Sequence, residues 1–500
     1  MKKTLVKMIV MMFTFGLLSI YAYADAGDMG YFGGISEGTN LPKTIEKYVP
    51  VKEQKTKTMQ YKEIVFISGE PVTFQGTIKV TKNDDILKTQ QNGTYTEKYD
   101  IKASNVDKNA TLDRSIQFKT SFDHKDREYR KQIVTDSEVI DWKDKIEIDG
   151  VTYNLDEDIS TFSFSGVKDI TPGVSYYSNT ISYNAHYITS DNRNLQIVTN
   201  GSIVGYDQPW SKVETGQITM DIQDKDSQMQ ILLYPSLEAK KTMYYDKTSP
   251  FPISFDGTYN QRLEREASLK YRVTTNHPNL SNSQLNNSIL LTTANQIEKL
   301  PIPAGLDFML GHDAEEDIKK LYSMEIFTEI PHRNMMVEAM PRGEFIKSLC
   351  IAMNIDTSDY IVTNRNKDNM KVVFGDVLPD NPLYPYIMAA YDAKLIKGTG
   401  KTFNISKPIL RQEAFVIYIR VIGLQSIGVS ESPATHFTDD KEIASWARKE
   451  IQAGYKLGII KADKQGKISP TKWLSKVEAA ATINHLIDYL REEISTYYRQ

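Results

Sequence analysis

The sequence predicts a multidomain protein in which a mainly antiparallel β region is followed by an all-α repeat domain. Residues 25–275 contain short runs rich in β-branched and aromatic side chains, which are typical of strands. Residues 305–490 instead show apolar side chains at helical spacing. The stretch 276–304 between them is rich in Asn and ends with Pro301 and Pro303, so it is predicted to be a linker.

The N-terminus has the order of charges and apolar residues that is typical of a secretory signal peptide. Lys2, Lys3 and Lys7 precede an apolar run over residues 8–22, which ends at the small-residue triplet Ala22-Tyr23-Ala24. This run is shorter than the roughly 20 residues that a membrane-spanning helix needs. Residues 1–24 are therefore predicted to be a cleaved signal peptide, and the mature protein is expected to be secreted without a transmembrane segment.

The β region is predicted to form sandwich-like or extended sheets. Its strand candidates alternate in polarity, and Asn-Gly or Asp-Gly pairs at residues 92, 149, 200 and 256 are expected to form turns between them. Similar Phe-x-Gly segments at Phe74, Phe164 and Phe255 suggest duplicated units of about 90 residues, although chance similarity explains them as well. The Gly-rich segment 29–38 is predicted to be a flexible arm.

Composition excludes several functional classes. A net charge of -4, with 25% charged residues spread along the chain, gives no basic field for nucleic acid. Cys350 is the only cysteine, so no intramolecular disulfide can form, and this residue is predicted to be a small buried hydrophobe. An exported protein of this size without disulfides fits the surface of a Gram-positive-type bacterium.

The C-terminal part repeats a pattern of apolar and charged residues three times, over residues 305–365, 366–430 and 431–492. The third copy is the clearest, with Phe437-Thr438-Asp439, Trp446, Gly458-Ile459-Ile460 and Ser475-Lys476-Val477-Glu478. The corresponding motifs of the earlier copies are Phe374-Gly375-Asp376, Arg411-Gln412-Glu413 and Arg342-Gly343-Glu344. A Ser followed three residues later by Glu can form a capping box at a helix start. A cation in the first helical turn is unfavourable beside the helix dipole, which suggests an anion as its ligand.

This pattern resembles the S-layer homology family of bacterial surface proteins. The resemblance implies a pseudo-threefold helical domain that binds an acidic, often pyruvylated, secondary cell-wall polysaccharide in grooves between repeats. By the same resemblance, the polysaccharide-binding residues are expected to be Arg342, Arg411, Lys476, Gly398, Thr399, Gly400 and Trp446. Glu344, Glu413, Glu478, Asp376 and Asp439 are expected to support the helix starts. Trp446 has no aromatic equivalent in the other copies, and core packing explains it equally well.

The β region contains none of the sequence motifs of common hydrolases or nucleotide-binding enzymes. The cluster Asp156-Glu157-Asp158 is interpreted as a solvated turn, because Ile159 stands where a calcium loop needs Gly. We therefore expect no cofactor, no metal and no enzymatic activity, with a β region that serves display, assembly with other surface proteins or copies of itself, or adhesion. The alternative is a wall-anchored enzyme that acts on polysaccharide through carboxylates of the β region.

Overall fold

The computed structural model describes residues 33–38, 41, 55–127, 130–225, 227–247, 257–275, 285–292, 296–397, 401–428 and 434–493. The predicted signal peptide, Phe255 and the segment Gly398-Thr399-Gly400 lie outside these residues. Within the described ranges, no helix is both long and apolar enough to cross a membrane.

Among the described residues, the N-terminal part forms fifteen strands. They are β1 Gly34–Ser36, β2 Thr56–Val65, β3 Val72–Lys82, β4 Asn92–Asn105, β5 Ala110–Arg127, β6 Arg130–Ile148, β7 Val151–Leu155, β8 Thr161–Ile170, β9 Ser175–Thr189, β10 Asn194–Asp207, β11 Ser211–Gln223, β12 Gln228–Asp246, β13 Thr258–Thr275, β14 Asn286–Thr292 and β15 Gln296–Pro301.

The strands form because apolar and polar side chains alternate along them. In β8, for example, Phe162 and Phe164 face the core, while Thr161, Ser163 and Ser165 face solvent. Asp149 and Gly150 both have positive φ angles, 48° and 83°, which is the geometry of a two-residue hairpin turn between β6 and β7. This Asp-Gly turn was correctly predicted.

All described strands join one antiparallel sheet in which most strands pair with their neighbours in sequence. The sheet curls until its ends approach each other, so that β1 contacts β12 and β13, and β14 lies beside β2. Across this seam between β2 and β14, the Lys62 amine donates a 2.8 Å hydrogen bond to the Leu290 carbonyl oxygen. The enclosed core contains Tyr61, Phe118 and Trp142.

Several details of the predicted β region need correction. The described strands form one curled sheet, so the sandwich-like arrangement is not confirmed. Part of the predicted linker forms β14 and β15, and both strands pair with β13. The Asn-Gly pair at residue 92 begins β4, and the pair at residue 200 lies inside β10, where a Cβ on Gly201 would stand 2.8 Å from the Gln217 carbonyl oxygen. Gly34 lies in β1 beside a fully buried Ile35, so this part of the Gly-rich segment is a strand rather than an arm.

Six α-helices are described in the ranges 296–397, 401–428 and 434–493: α1 Glu315–Ser323, α2 Arg342–Ala352, α3 Tyr384–Asp392, α4 Arg411–Ile422, α5 Arg448–Lys456 and α6 Lys476–Asp488. Short 3-10 turns and isolated β-bridges connect them, so the all-α description is not confirmed. Cys350 is buried in α2, as predicted, and burial raises the pKa of its thiol.

The backbone of the C-terminal part repeats three times. After α1, α3 and α5, the chain turns through a residue of positive φ, which is Glu325, Lys394 or Gly458. In each copy the two N–H groups that follow this residue donate to one carbonyl of the preceding helix, from Leu321, Ala390 and Gly454. Residues 305–365 therefore share the local geometry of the two later copies.

One hydrophobic core crosses the junction between the two parts of the chain. The turn between β10 and β11 carries Trp210, which is fully buried and donates through Nε1 to the Ala352 carbonyl at the end of α2. Gly173, in the turn between β8 and β9, donates to the Val421 carbonyl near the end of α4. Gln208 and Ser211 donate to the Leu490 carbonyl, just beyond α6. Turns of the sheet thus satisfy carbonyl groups that helix ends leave without partners.

Candidate functional site

The starts of α2, α4 and α6 meet in a closed ring of backbone hydrogen bonds. Met340 donates to Leu474, Leu474 to Ile409, and Ile409 back to Met340, with N···O distances of 2.8, 2.9 and 2.9 Å. The first residue of each helix also donates to the neighbouring copy: Arg342 to Lys407, Arg411 to Lys472 and Lys476 to Glu338. This ring brings the three predicted cations to one end of the repeat domain.

Each cation forms an ion pair with a carboxylate of another copy. The Arg342 guanidinium lies 2.7 Å from Glu413, and the Arg411 guanidinium lies 2.9 Å from Glu478. Lys476 breaks the pattern, because its amine lies between Glu338 and Glu329, at 3.3 and 3.4 Å. Sequence reasoning missed these partners, because they are distant in the chain.

Glu413 and Glu478 each have a double role. One oxygen of each accepts the cation, and the other accepts a 2.9 Å hydrogen bond from the backbone N–H before its own helix, at Leu410 or Ser475. Ser475 returns the interaction by accepting from Glu478 N, which completes the predicted capping box. Glu344 instead lies 3.5 Å from Lys347 on its own helix, and α2 has no side-chain cap, so the expected support by Glu344 is wrong.

Asp376 and Asp439 do not cap a helix directly. Asp376 accepts hydrogen bonds from the backbone N–H groups of Phe403, Asn404 and Ile405, in the loop that leads to α4. Asp439 accepts from Ile468 and Ser469 in the equivalent loop before α6. Burial opposes ionisation of Asp376, but its backbone donors outweigh this and lower the pKa of the carboxyl. These aspartates therefore support the helix starts through the preceding loops.

Two tryptophans near the start of α4 are exposed. Trp446, predicted from the sequence, is 53% exposed, and Trp473, which the prediction missed, is 60% exposed. The backbone of Trp473 bridges to Leu410, and the Ala444 N–H near Trp446 donates to Gln412. An exposed indole is able to stack on a sugar ring. The sequence signal that could have identified Trp473 is its position two residues before Ser475, which caps α6.

The three predicted grooves between the copies differ in charge and in exposed aromatic surface. We define the first groove by Arg342, Lys407 and Glu413, the second by Arg411, Lys472 and Glu478, and the third by Lys476, Glu329 and Glu338. Counting one charge per side chain, they carry net charges of +1, +1 and -1. The second groove is also beside Trp473, so it has the best combination of charge and stacking surface for an acidic sugar.

The β region contains a separate buried charge cluster. Arg114 donates to Glu63 at 3.0 Å and to Asp144 at 2.6 Å, and all three side chains are buried. Burial raises the pKa values of Glu63 and Asp144, against the opposing effect of Arg114. A cavity of about 30 Å³ lies beside Glu63 and Arg114. This volume suits one or two water molecules rather than a sugar ring.

Comparison with known families identifies the repeats. The S-layer homology domain matches residues 373–415 and 436–480, which belong to the second and third copies. The chain therefore carries an S-layer homology domain, and the predicted resemblance is confirmed for these two copies. Such domains bind cell-wall polysaccharides and hold proteins at the surface of the bacterial envelope.

Three curated relatives share part of the sequence. An endoglucanase of Bacillus sp. (strain KSM-635) is 32% identical over 134 residues, which are 27% of this chain and 13% of that protein. Exoglucanase XynX of Acetivibrio thermocellus and an amylopullulanase of Thermoanaerobacterium thermosulfurigenes are each 28% identical over 174 residues, 34% of this chain and 16% and 9% of theirs. The chain thus spans less than a fifth of the length of each relative. All three carry enzyme names, and this finding contradicts the expectation that the chain has no enzymatic activity.

Proposed function

We propose that this chain is an exported, polysaccharide-active protein that its C-terminal repeats hold on an acidic secondary polymer of a Gram-positive-type cell wall. The anchoring part of the proposal is carried by the second groove, where Arg411 and Lys472 outnumber Glu478 and an exposed tryptophan lies beside them. In this proposal residues 305–365 are a third S-layer homology repeat, supported by the shared hydrogen bonds of the three copies.

The ion pair of the second groove does not prevent binding of an acidic sugar. This ion pair is partly exposed, with 20% of the Arg411 side chain and 31% of the Glu478 side chain open to solvent. Ion pairs at the surface contribute about 1 kcal/mol or less, and a ligand carboxylate would replace the charge of Glu478 at Arg411. The planar guanidinium of Arg411 is able to make two parallel hydrogen bonds to a carboxylate such as that of a pyruvyl group. Gly398, Thr399 and Gly400 are proposed to add backbone donors. Lys476 is the weakest of the three predicted contacts, because two carboxylates already surround it.

Co-sedimentation of the full chain with purified cell-wall sacculi tests the anchor. We expect pelleting that disappears when the acidic polymer is removed from the sacculi and that falls at least tenfold for Arg411→Ala. Lys441→Ala is the matched control, since Lys441 is an exposed cation of the third copy outside the three grooves. Pelleting that is indifferent to the polymer and to Arg411 would refute the anchor.

Enzymatic action on polysaccharide is the second part of the proposal, and the three enzyme-named relatives support it. Glu63 and Asp144 are the first carboxylates to test, because a raised pKa suits a general acid in glycoside hydrolysis. Because the adjoining cavity is small, a sugar reaches them only if the sheet opens at the seam between β2 and β14. Release of reducing ends from polysaccharides by the wild type, lost in Glu63→Gln and Asp144→Asn, would support this site; release unchanged in both variants would exclude it.

A further inference from the structure

The outer surface of the sheet differs in chemistry between its two halves. On strands β3–β5, the outward positions include Lys79, Lys98, Asp100, Lys102 and Asp113. Some of these side chains form ion pairs, with N···O distances of 3.0 Å for Lys98 and Asp100 and 3.4 Å for Lys102 and Asp113. This half is an ordinary charged surface.

On the other half, three rows of outward positions on strands β8–β11 carry no formal charge, and we call these rows the neutral face. They hold no Asp, Glu, Lys or Arg, although these types make up 25% of the chain, and all of their residues lie in the described range 163–219. Carboxylates lie at the margins of the face, namely Asp169 and Asp221 at the ends of β8 and β11, and Asp136 and Glu138 on the adjoining strand β6. The members of the neutral face are Ser163, Ser165, Val167, Ser178, Thr180, Ser182, Asn200, Ser202, Val204, Thr215, Gln217 and Thr219.

Strand register arranges this face as a regular grid. One row runs across the strands through Ser165, Thr180, Ser202 and Gln217, and the next runs through Ser163, Ser182, Asn200 and Thr219. Neighbouring side chains within a row are about 4.8 Å apart, and successive rows are about 6.7 Å apart. The grid is therefore about 15 Å wide from β8 to β11.

The functional groups of the neutral face both donate and accept hydrogen bonds. Ser165 and Thr180 bond to each other at 2.7 Å, and Ser182 donates to Asn200 at 2.9 Å. A hydroxyl has one donor and two acceptor positions, and an amide has two donors and one acceptor oxygen, so these pairs retain capacity for further bonds. Val167 and Val204, which are 40% and 37% exposed, add small apolar patches beside the polar groups.

We propose that the neutral face binds an extended, uncharged polysaccharide. Sugar hydroxyls match groups that donate and accept, and the C–H faces of sugar rings match small exposed aliphatic side chains. Depletion of charged residues is typical of binding surfaces, and the absence of cations gives an acidic polymer no preference for this face. The two rows hold no aromatic anchor of the kind that dominates protein interfaces, so the face suits a second copy of this chain less well than it suits a polysaccharide. The inference rests on the proposed action on polysaccharide and adds the surface that holds a neutral chain.

Binding of the full chain to insoluble neutral glucans tests the inference, with microcrystalline cellulose and starch granules as probes. We expect the wild type to bind at least one of them at 0.15 M salt. The double variant Thr180→Lys with Asn200→Lys should bind at least tenfold more weakly, because desolvating two ammonium groups against a neutral chain is unfavourable. The matched control is Thr77→Lys with Ser104→Lys, which adds the same charges at exposed positions of the charged half.

The outcomes separate this inference from the anchoring proposal. Sacculus pelleting should be unchanged in both double variants, whereas Arg411→Ala should lose pelleting and keep glucan binding. Thermal unfolding of each variant verifies its fold, and Ser202→Glu serves as a second face variant if the double one is unstable. No glucan binding by the wild type, or equal binding by the face and control variants, would overturn the inference. A wild-type dimer that the face variant converts to monomer would assign the face to self-association instead.

Discussion

At the residue scale, Arg411 and Glu478 show how one pair serves both folding and binding. Glu478 completes the cap of α6 and also neutralises Arg411, which has an additional 2.7 Å hydrogen bond from Nε to the Ile468 carbonyl. The guanidinium is thus held in place by its backbone contact even when a ligand displaces the carboxylate. A substitution of Glu478 can therefore remove the charge that neutralises Arg411, while the contact with Ile468 still positions the guanidinium.

Glu478→Gln should increase binding to the acidic polymer several-fold. Gln also fits a capping box, so the helix start is retained, while the second groove gains one positive charge. Sacculus pelleting measured at low and high salt should show the gain mainly at low salt, where screening is weakest. Stability should change by about 1 kcal/mol or less. Weaker pelleting by this variant would argue that Glu478 contacts the ligand itself.

Asp376 contributes stability that depends on pH. Its folded pKa is lower than its ordinary value of 3.8, so its contribution is complete above that value and is lost as pH falls through the folded pKa. Asp376→Asn should cost about 1 to 3 kcal/mol at neutral pH, because the carboxylate accepts several backbone N–H groups. The difference from wild type should shrink in denaturation experiments below about pH 4. A difference that stays constant down to pH 2 would contradict the assignment.

At the element scale, the ends of the repeat helices are specialised in opposite ways. The N-terminal ends of α2, α4 and α6 carry the cations Arg342, Arg411 and Lys476, and the C-terminal ends of the same helices dock on turns of the sheet. At this junction the Arg491 guanidinium and the Lys241 amine lie 4.6 and 5.5 Å from the centroid of the Trp210 ring. The proposed binding grooves and the β region therefore lie at opposite ends of the same helices.

Trp210→Ala should destabilise the protein by about 3 to 5 kcal/mol, because it removes a fully buried indole and its hydrogen bond to Ala352. Trp446→Ala is the matched control, because that indole is 53% exposed and should change stability little. Chemical denaturation measures both variants, and sacculus pelleting should fall for Trp446→Ala alone under native conditions. Equal stability losses in the two variants would contradict the docking role of Trp210.

At the scale of the whole molecule, the shared core predicts cooperative unfolding of the sheet and the repeats. Val174, Tyr206 and Val213 of the β region belong to the same buried cluster as the helices. Thermal unfolding of the full chain followed by circular dichroism at strand and helix wavelengths should give coincident transitions. Trp210→Ala should separate them, because it weakens the junction. Two well-separated transitions in the wild type would show that the repeats fold independently.

Features that depend on neighbouring residues were predictable from the sequence, whereas features that depend on residues far apart in the chain were not. The alternation in β8, the turn at Asp149-Gly150 and the cap at Ser475 depend on neighbours within a few residues, and all three were predictable. The single curled sheet was not, because strand alternation specifies which side chains are buried but not which sheet edges meet. The pairing of Arg342 with Glu413 joins residues that lie in different copies of the repeat, and local spacing contains no information about it.

The sequence by itself determined the repeat motifs, the strand and helix character of each part, and the positions of the three cations, because these follow from local periodicity and residue chemistry. Only the tertiary structure decided that Lys476 lies between two carboxylates, that Trp210 docks on the ends of the repeat helices, and that three rows of outward positions on β8–β11 carry no charge. Each of these depends on contacts between distant segments, which are fixed only when strands pair and helices pack into a common core.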